Sequence, residues 1–563
     1  MKLFKEEVVR MLADLVPIEA EQISEDLEFP PSPDMGDYAY PCFKLAKHLR
    51  NAPQRIATDL VDKMQDSPLF SSVEAAGPYI NFFCNRRALA KYTLDIVAEQ
   101  GDQYGHQDLG QGETVCIDFS APNIAKPFGV GHLRSTVIGN SLHRIHSALG
   151  YKSVGINHIG DWGTQFGKLI AAYLRWGDKA SLEQDPIQYL YRLYVQFHKE
   201  AEEDPQLTQE GRNWFKKLEE GDAQATELWK QFRDLSLAEF KRIYKILDVD
   251  FDSWQGESFY NDMLDDTVQQ VEDSGLLQQS QGAWIVDLEE EGMPPCLLRK
   301  QDGATLYATR DLAAAMYRQQ TWKFAKMLYV VGVDQSLHFR QLFAVLNKLG
   351  HHWADKCQHI PFGLIRFKDG KMSTRQGTLI FLEEVLNKAT ELAEEIIAEK
   401  NPDLANKEKV ARQVGIGAVI FGDLSNDRIK DVEFDWDKIL DFSGETAPYI
   451  QYAHARICSI LRKAGGTGNY DPGKLDTQYE GAVVSALSKF PEAIERAAET
   501  CKPSIIARYL IDLAKEFNRF YHQCPVLHAP DDVRRARLAL IDAVRQVLAN
   551  GLYLLGIAAP QEM

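Results

Sequence analysis

The feature that most constrains this chain is a change of texture at Thr114. From there short apolar runs (TVCIDFS, KSVGINHIG, MLYVVGV and FGLIRF) alternate with helical stretches. Strands that alternate with helices are joined by crossovers rather than tight turns, and crossovers build a parallel, doubly wound α/β sheet. Ligands of such a sheet gather beyond the carboxyl ends of its strands. The loop after the first strand, SAPNIAKPFGVGHLRST at residues 120–136, is therefore the most informative run. A proline-containing segment there leads into a helix that begins near His132. Gly129 and Gly131 let backbone approach a nucleotide closely, and the helix N-terminus favours its phosphates. His132 stands where it can donate a hydrogen bond to a phosphate oxygen as charge builds up. Taken alone, a glycine-histidine string is more often a surface turn.

At 563 residues the chain is too long for one core and should divide into roughly three or four units. Residues 1–110 read as a small α+β module: an opening helix, the turn-rich FPPSPDMGDYAYP, a helical FKLAKHLRNA, a YINFF strand and the helix RRALAKYTLDIVAEQ, with a polar glycine-containing linker after it. Residues 111–446 are expected to hold the doubly wound Rossmann-type domain, split by a charged helical insertion at about 175–255. Residues 447–563 are almost entirely helical with short connections, which suggests an antiparallel bundle.

Several classes are set aside by composition. The eight cysteines form no CxxC pair, so reduced, buried thiols are expected and neither a disulfide framework nor a zinc site is. No run offers the roughly 18 apolar residues of a membrane span, and the N-terminus lacks a signal-peptide core, so a cytoplasmic protein is expected. A net charge of −18 argues against indiscriminate nucleic-acid binding; an RNA partner has to be met by local basic or aromatic surfaces.

A second chemical element lies far downstream. The strand candidate GLIRF leads through Lys368-Asp369-Gly370 into KMSTRQG, a basic, hydroxyl-rich loop that suits a mobile phosphate clamp. Lys371 acts there as a point charge, and Arg375 offers a bidentate fork. Candidate carboxylates for a cationic ligand also occur: Glu257 follows a glycine in the aromatic segment FDSWQGESFY, and Asp311 follows Thr309, a plausible helix cap, in TLYATRD. On spacing alone Asp311 reads more readily as a carboxylate that interacts with a helix dipole.

The run NIAKPFGVGHLRST resembles the HIGH-motif region of arginyl-tRNA synthetases, with Gly129 in place of the first histidine, so that His132 is the only imidazole. KMSTR resembles the KMSKS signature; its final lysine is Arg375 here and its second serine is displaced. NHIGDWGTQFG (157–167), the Glu257 and Asp311 segments and VGVDQSLHF (331–339) resemble further blocks of that family, in the same order. The resemblance implies a class I arginine–tRNA ligase that uses ATP, with Mg²⁺ carried by the nucleotide, L-arginine and tRNA(Arg), and that works as a monomer. It implies His132, Lys371 and Arg375 as catalytic residues, and Gly129, Gly131, Met372 and Ser373 beside His132 and Lys371 at ATP. Asn123, Glu257, Tyr307, Asp311 and Gln335 would hold arginine, the two acids facing its guanidinium, with His158, Asp161 and His338 on neighbouring turns. Tyr449, Tyr452, Arg456, Tyr521 and Met563 would read the anticodon, and Asn81 or Asn85 would touch the tRNA elbow. Two other readings stay open at this level: a class I enzyme of different specificity, and a catalytically silent tRNA-binding homologue.

Overall fold

The computed structural model describes residues 1–30, 32–300, 306–367 and 381–563. Its N-terminal sheet has strands β1 (Tyr38–Pro41), β2 (Phe70–Ala76) and β3 (Tyr79–Cys84) in the order β1-β3-β2, all antiparallel. The hairpin from β2 to β3 turns at Gly77, whose φ of +59° suits a residue without a Cβ. The stretch that reads as turn-rich thus contains β1, because Tyr38, Ala39 and Tyr40 are buried against the helices that cover this sheet.

The central sheet has β4 (Thr114–Asp118) and β5 (Lys152–Ile156). It is completed, after a small antiparallel meander of β6 (Leu277–Ser280), β7 (Ala283–Val286) and β8 (Cys296–Arg299), by β9 (Lys326–Tyr329) and β10 (Cys357–His359). All pairings in the central sheet are parallel and the order is β10-β9-β4-β5. The winding direction reverses between β4 and β9, so the loops after these two strands open onto one crevice. β4 is buried on both faces at Val115, Cys116 and Ile117, which is why it reads as an unbroken apolar run. The helix Gly131–Ala148 lies tight against it: a Cβ on Gly139 would sit 2.2 Å from the Phe119 ring.

FGLIRF does not join this sheet. β11 (Ile365–Phe367) pairs instead with β12 (Val432–Phe434) as a separate parallel ribbon. The meander β6–β8 was not expected either; its strands are short and partly exposed, so their apolar pattern is thin. The insertion is helical, from Thr164–Trp176 through Ala223–Leu247.

The C-terminal part packs the helices Ala447–Ala464, Gln478–Ser488, Phe490–Glu499, Ser504–Gln523 and Asp531–Leu554 around one apolar core. The tail beyond them is bound: Gln451 donates to Ala558 O at 2.8 Å, His454 meets Pro560 O at 2.9 Å, and Arg462 pairs with Glu562 at 2.8 Å. A buried Arg134–Asp423 pair at 2.7 Å ties the Gly131 helix to the helix Lys407–Leu424. Among the described residues all eight cysteines are free and buried, and no helix is long and apolar enough to cross a membrane.

Candidate active site and tRNA surfaces

The loop after β4 is held in an unusual backbone course. Ser120, Ala121 and Ala125 have φ of 72°, 46° and 58°, the left-handed region that costs a residue with a Cβ about 1 kcal/mol or more. Surrounding hydrogen bonds over-determine it. Ser120 N–H donates to Ser135 Oγ at 2.8 Å, and Ser120 Oγ lies 2.7 Å from both Thr136 Oγ1 and the Tyr244 hydroxyl. Ser135 Oγ in turn donates to Val330 O at 2.6 Å, joining the loops after β4 and β9. Ala125 N–H donates to Ser236 Oγ at 2.8 Å, so an insertion helix also fixes this loop.

At the loop's end the helix begins at Gly131, and His132 is its second residue. The Gly129 N–H donates to His132 Nδ1 at 3.2 Å. Burial lowers the His132 pKa to about 4, so the ring is neutral near pH 7. A neutral imidazole that accepts at Nδ1 carries its proton on Nε2, which leaves Nε2–H as a hydrogen-bond donor. Gly129 therefore fixes the tautomer of the motif's one histidine. The chain that leaves the Lys-Met-Ser stretch docks beside it: Phe381 forms an antiparallel bridge with Gly129, and Leu382 N–H donates to Phe128 O at 2.9 Å. Lys371, Met372, Ser373 and Arg375 themselves lie outside the described residues. Sequence reasoning passed over Lys126 in the same loop. Its ammonium lies 5.3 Å from the Tyr194 ring, its pKa is lowered by burial, and its charge is felt at His132.

Asn123 is bridged to Gly160, and a Cβ on Gly160 would lie 2.1 Å from Asn123 Oδ1; the glycine makes room for the amide. Four carboxylates lie in this region, in different states. Asp118 is buried and paired with Arg318 at 2.8 Å. Asp161 is buried too; it accepts from Ser258 N–H at 2.8 Å and Ser258 Oγ at 2.7 Å and pairs with Arg233 at 3.0 Å. That set shapes the turn carrying Glu257, whose N–H donates to Ile159 O at 3.0 Å. Glu257 makes no ion pair among the described residues. Burial raises its pKa to about 7; Arg310 works against that rise, and the charges of Asp311 and Asp161 add to it.

Asp311 meets His338 Nε2 through Oδ2 at 2.6 Å, and its Oδ1 lies 3.9 Å from His158 Nε2. Burial pushes the Asp311 carboxyl up, but the hydrogen bond and charge of His338, with His158 and Arg318, outweigh it, and the net shift is downward. The expectation that Thr309 caps this helix fails: the helix starts at Tyr307, Thr309 is inside it, and its hydroxyl donates to Leu298 O at 2.6 Å, pinning the helix to β8. Asp311 is therefore beyond the first turn, where dipole stabilisation fades, and its partner is a histidine. Tyr307, one helical turn before Asp311 on the same face, is 68% exposed. Gln335 is exposed and ends the short turn Val333–Gln335 after β9. His158 Nδ1 lies 3.3 Å from Gln255 O, with its ring 5.6 Å from Tyr260.

In the C-terminal bundle, residues from three segments meet. Arg456 lies over the rings of Tyr452 at 4.7 Å and Tyr521 at 5.6 Å. Asn518, which sequence reasoning did not single out, joins the set by donating to the Tyr449 hydroxyl at 2.8 Å and accepting from Arg456 at 3.2 Å. Met563 accepts at its carbonyl from Asn401 at 3.0 Å. With Tyr452 it lines a cavity of about 730 Å³ and, with Arg456 and Tyr521, a second of about 540 Å³. In the N-terminal module Asn81 is buried on β3, and Asn85 caps the helix Arg86–Gln100, accepting from Arg87 N–H at 3.1 Å and Ala88 N–H at 3.2 Å.

A parallel sheet with a histidine-bearing helix start at its switch point, an insertion after β5 and a helical bundle behind make up the architecture of a class I aminoacyl-tRNA synthetase. Residues 93–436 match the profile described as tRNA synthetases class I (R), catalytic domain; residues 450–563 match the DALR anticodon binding domain, and residues 2–84 the arginyl tRNA synthetase N terminal domain. The chain belongs to the arginyl-tRNA synthetase family, and its activity is that of an arginine–tRNA ligase. It is 51% identical to the arginine–tRNA ligase of Alkaliphilus metalliredigens and 53% identical to that of Exiguobacterium sibiricum, each over the whole of both chains. The arginyl-tRNA synthetase structure of Thermus thermophilus superposes with a TM-score of 0.84 at 28% identity, covering all of both chains. ATP, arginine and tRNA are accordingly its substrates.

Proposed function

We propose a residue-level assignment for this ligase, in which Glu257 and Asp311 together receive the substrate's guanidinium. The observation that carries it is the contrast between four neighbouring carboxylates. Asp118 and Asp161 are consumed by Arg318 and Arg233, whereas among the described residues Glu257 has no cation in ion-pair contact and Asp311 Oδ1 has the 3.9 Å approach of His158. A planar guanidinium supplies the charge and the paired donors that such a site lacks. Asn123 holds the α-amino and carboxylate end, Tyr307 packs alongside, and Gln335 closes the pocket from the loop after β9.

In the first step an arginine carboxylate oxygen attacks the α-phosphorus of ATP, forming the mixed anhydride as pyrophosphate leaves. His132 donates from Nε2 to a phosphate oxygen, with Gly129 and Gly131 admitting the nucleotide. Lys371, Met372, Ser373 and Arg375 close on the triphosphate, with Lys371 and Arg375 neutralising the leaving group and Lys126 adding a cation from the His132 side. In the second step a 3′-terminal ribose hydroxyl of tRNA(Arg) attacks the activated carbonyl and AMP departs. Mg²⁺ enters with the nucleotide, where it would offset charge on the triphosphate.

Tyr449, Tyr452, Arg456, Tyr521 and Met563 form the anticodon platform, where rings stack on unpaired bases beside a cation. The N-terminal module, residues 1–110, touches the tRNA elbow near Asn81 and Asn85; residues 111–446 carry catalysis and residues 447–563 the anticodon contacts. The enzyme works as a monomer in the cytoplasm. Pyrophosphate exchange and aminoacylation with each amino acid, with and without tRNA, test the assignment. The variant His132→Ala should lose roughly 100-fold or more in rate with tRNA affinity unchanged; a loss of tRNA binding instead would mean that this turn has been misread.

A further inference from the structure

We infer that His338 is a positioning residue for arginine selection: it clamps Asp311 so that one carboxylate oxygen is committed to the protein and the other is presented to the guanidinium. The inference rests on the proposed assignment of Asp311 to the arginine pocket. His338 is the third residue of the helix Ser336–Lys348, which follows β9, while Asp311 sits on the helix Tyr307–Trp322, which precedes it. The two helices that flank β9 in the chain thus meet through one short contact, Nε2 to Oδ2 at 2.6 Å. Among the described residues the other oxygen, Oδ1, has only the longer 3.9 Å approach of His158.

A carboxylate on a helix has several rotamers, and one that is buried tends to protonate. A guanidinium fork discriminates only against a carboxylate that is both charged and fixed in direction. His338 supplies both conditions. The hydrogen bond selects the rotamer, and that bond together with the charge on His338 opposes the burial that pushes the Asp311 carboxyl up. Among the described residues the titratable groups around the pair are few. Arg318 lies further along the Asp311 helix, His158 comes from the loop after β5, and Glu257, Cys296 and Tyr329 come from the segment after the insertion, β8 and β9. On the His338 side stand Asp311 and His359. His359 is itself held by Val331 O at 3.0 Å and stacked on Phe339 at 4.6 Å, which keeps the neighbouring backbone still.

The test compares His338→Phe, His338→Gln and Asp311→Asn in the full-length enzyme with tRNA present, measuring KM for arginine and for ATP separately, kcat, and the pH profile of kcat/KM for arginine. Outer partners that orient metal ligands are worth about 10–100-fold, and the same orienting role is expected to carry a similar factor here. His338→Phe should therefore raise KM for arginine by about that factor while KM for ATP stays within about 3-fold. His338→Gln, which keeps a donor near the Nε2 position but no charge, should restore part of the loss and shift the acid limb for arginine to higher pH. If Asp311→Asn raises KM for arginine but both His338 variants leave it within about 3-fold, the clamp is overturned and the pocket stands. If Asp311→Asn is silent as well, the pocket assignment falls and the clamp with it. Equal rises in KM for arginine and ATP would mark His338 as a general structural residue and also overturn the inference.

Discussion

Arginine should bind this enzyme with a proton leaving Glu257, and the size of the effect follows from the pocket. With its carboxyl raised to about 7 by burial against the weaker pull of Arg310, Glu257 in the free enzyme is half protonated at neutral pH. Only the ionised form pairs with a guanidinium, so apparent affinity scales with the ionised fraction. Relative to the plateau above pH 8, the dissociation constant for arginine should double at about pH 7 and rise roughly 11-fold at pH 6. At pH 6.5 roughly three-quarters of a proton should be released per arginine bound. Titration calorimetry at matched pH in two buffers of different ionisation enthalpy measures that proton directly.

The variant Glu257→Gln should abolish both the slope and the proton release. It should weaken arginine binding at pH 8 by about 3 kcal/mol, or roughly 150-fold, the upper range for a charge-assisted hydrogen bond. The same variant should stabilise the ligand-free fold. A carboxyl whose pKa is higher folded than unfolded binds its proton more tightly in the native state, so ionisation destabilises the fold as pH climbs from about 4.5 through about 7. A neutral amide at pH 8 removes a penalty of up to about 3 kcal/mol and should raise the thermal midpoint. Arginine affinity that is flat from pH 6 to 8, with no proton released, would refute the reasoning.

Two further outcomes are expected. Arg134→Met should destabilise the enzyme by about 3–5 kcal/mol by stranding the buried Asp423 carboxyl, and Arg134→Met with Asp423→Leu should regain most of it; paired thermal melts compare the two. Tyr452→Ala should raise KM for tRNA by about 5–150-fold, the cost of about 1–3 kcal/mol for one lost stacking platform, with arginine and ATP constants unchanged, as aminoacylation kinetics would read.

What could be read from the residues alone was what is local. The β/α alternation after Thr114, the helix start at Gly131 and the helical bundle beyond Ala447 depend on periodicity and turn chemistry within a few residues, and each occurs where the pattern places it. Blocks of ordered motifs carried the family, because each is contiguous in the chain. Strand partners were not legible: FGLIRF has the composition of a sheet strand, yet it pairs with β12, 67 positions away at Ile365 and Val432, because partner choice is settled by long-range packing. The charge states of the acids were equally hidden.

By itself the sequence determined which carboxylates exist and that Glu257 follows a glycine in an aromatic segment. Only the tertiary structure decided that Asp118 and Asp161 are spent on arginines, that Glu257 is half-buried with no ion pair among the described residues, and that Asp311 faces a histidine 27 residues away. Asn518 likewise joined the set of Tyr449 and Arg456 only when its helix met theirs. The reason is electrostatic. A side chain's pKa and partners depend on which charges and how much apolar matter surround it in space, and neither is a property of neighbouring letters.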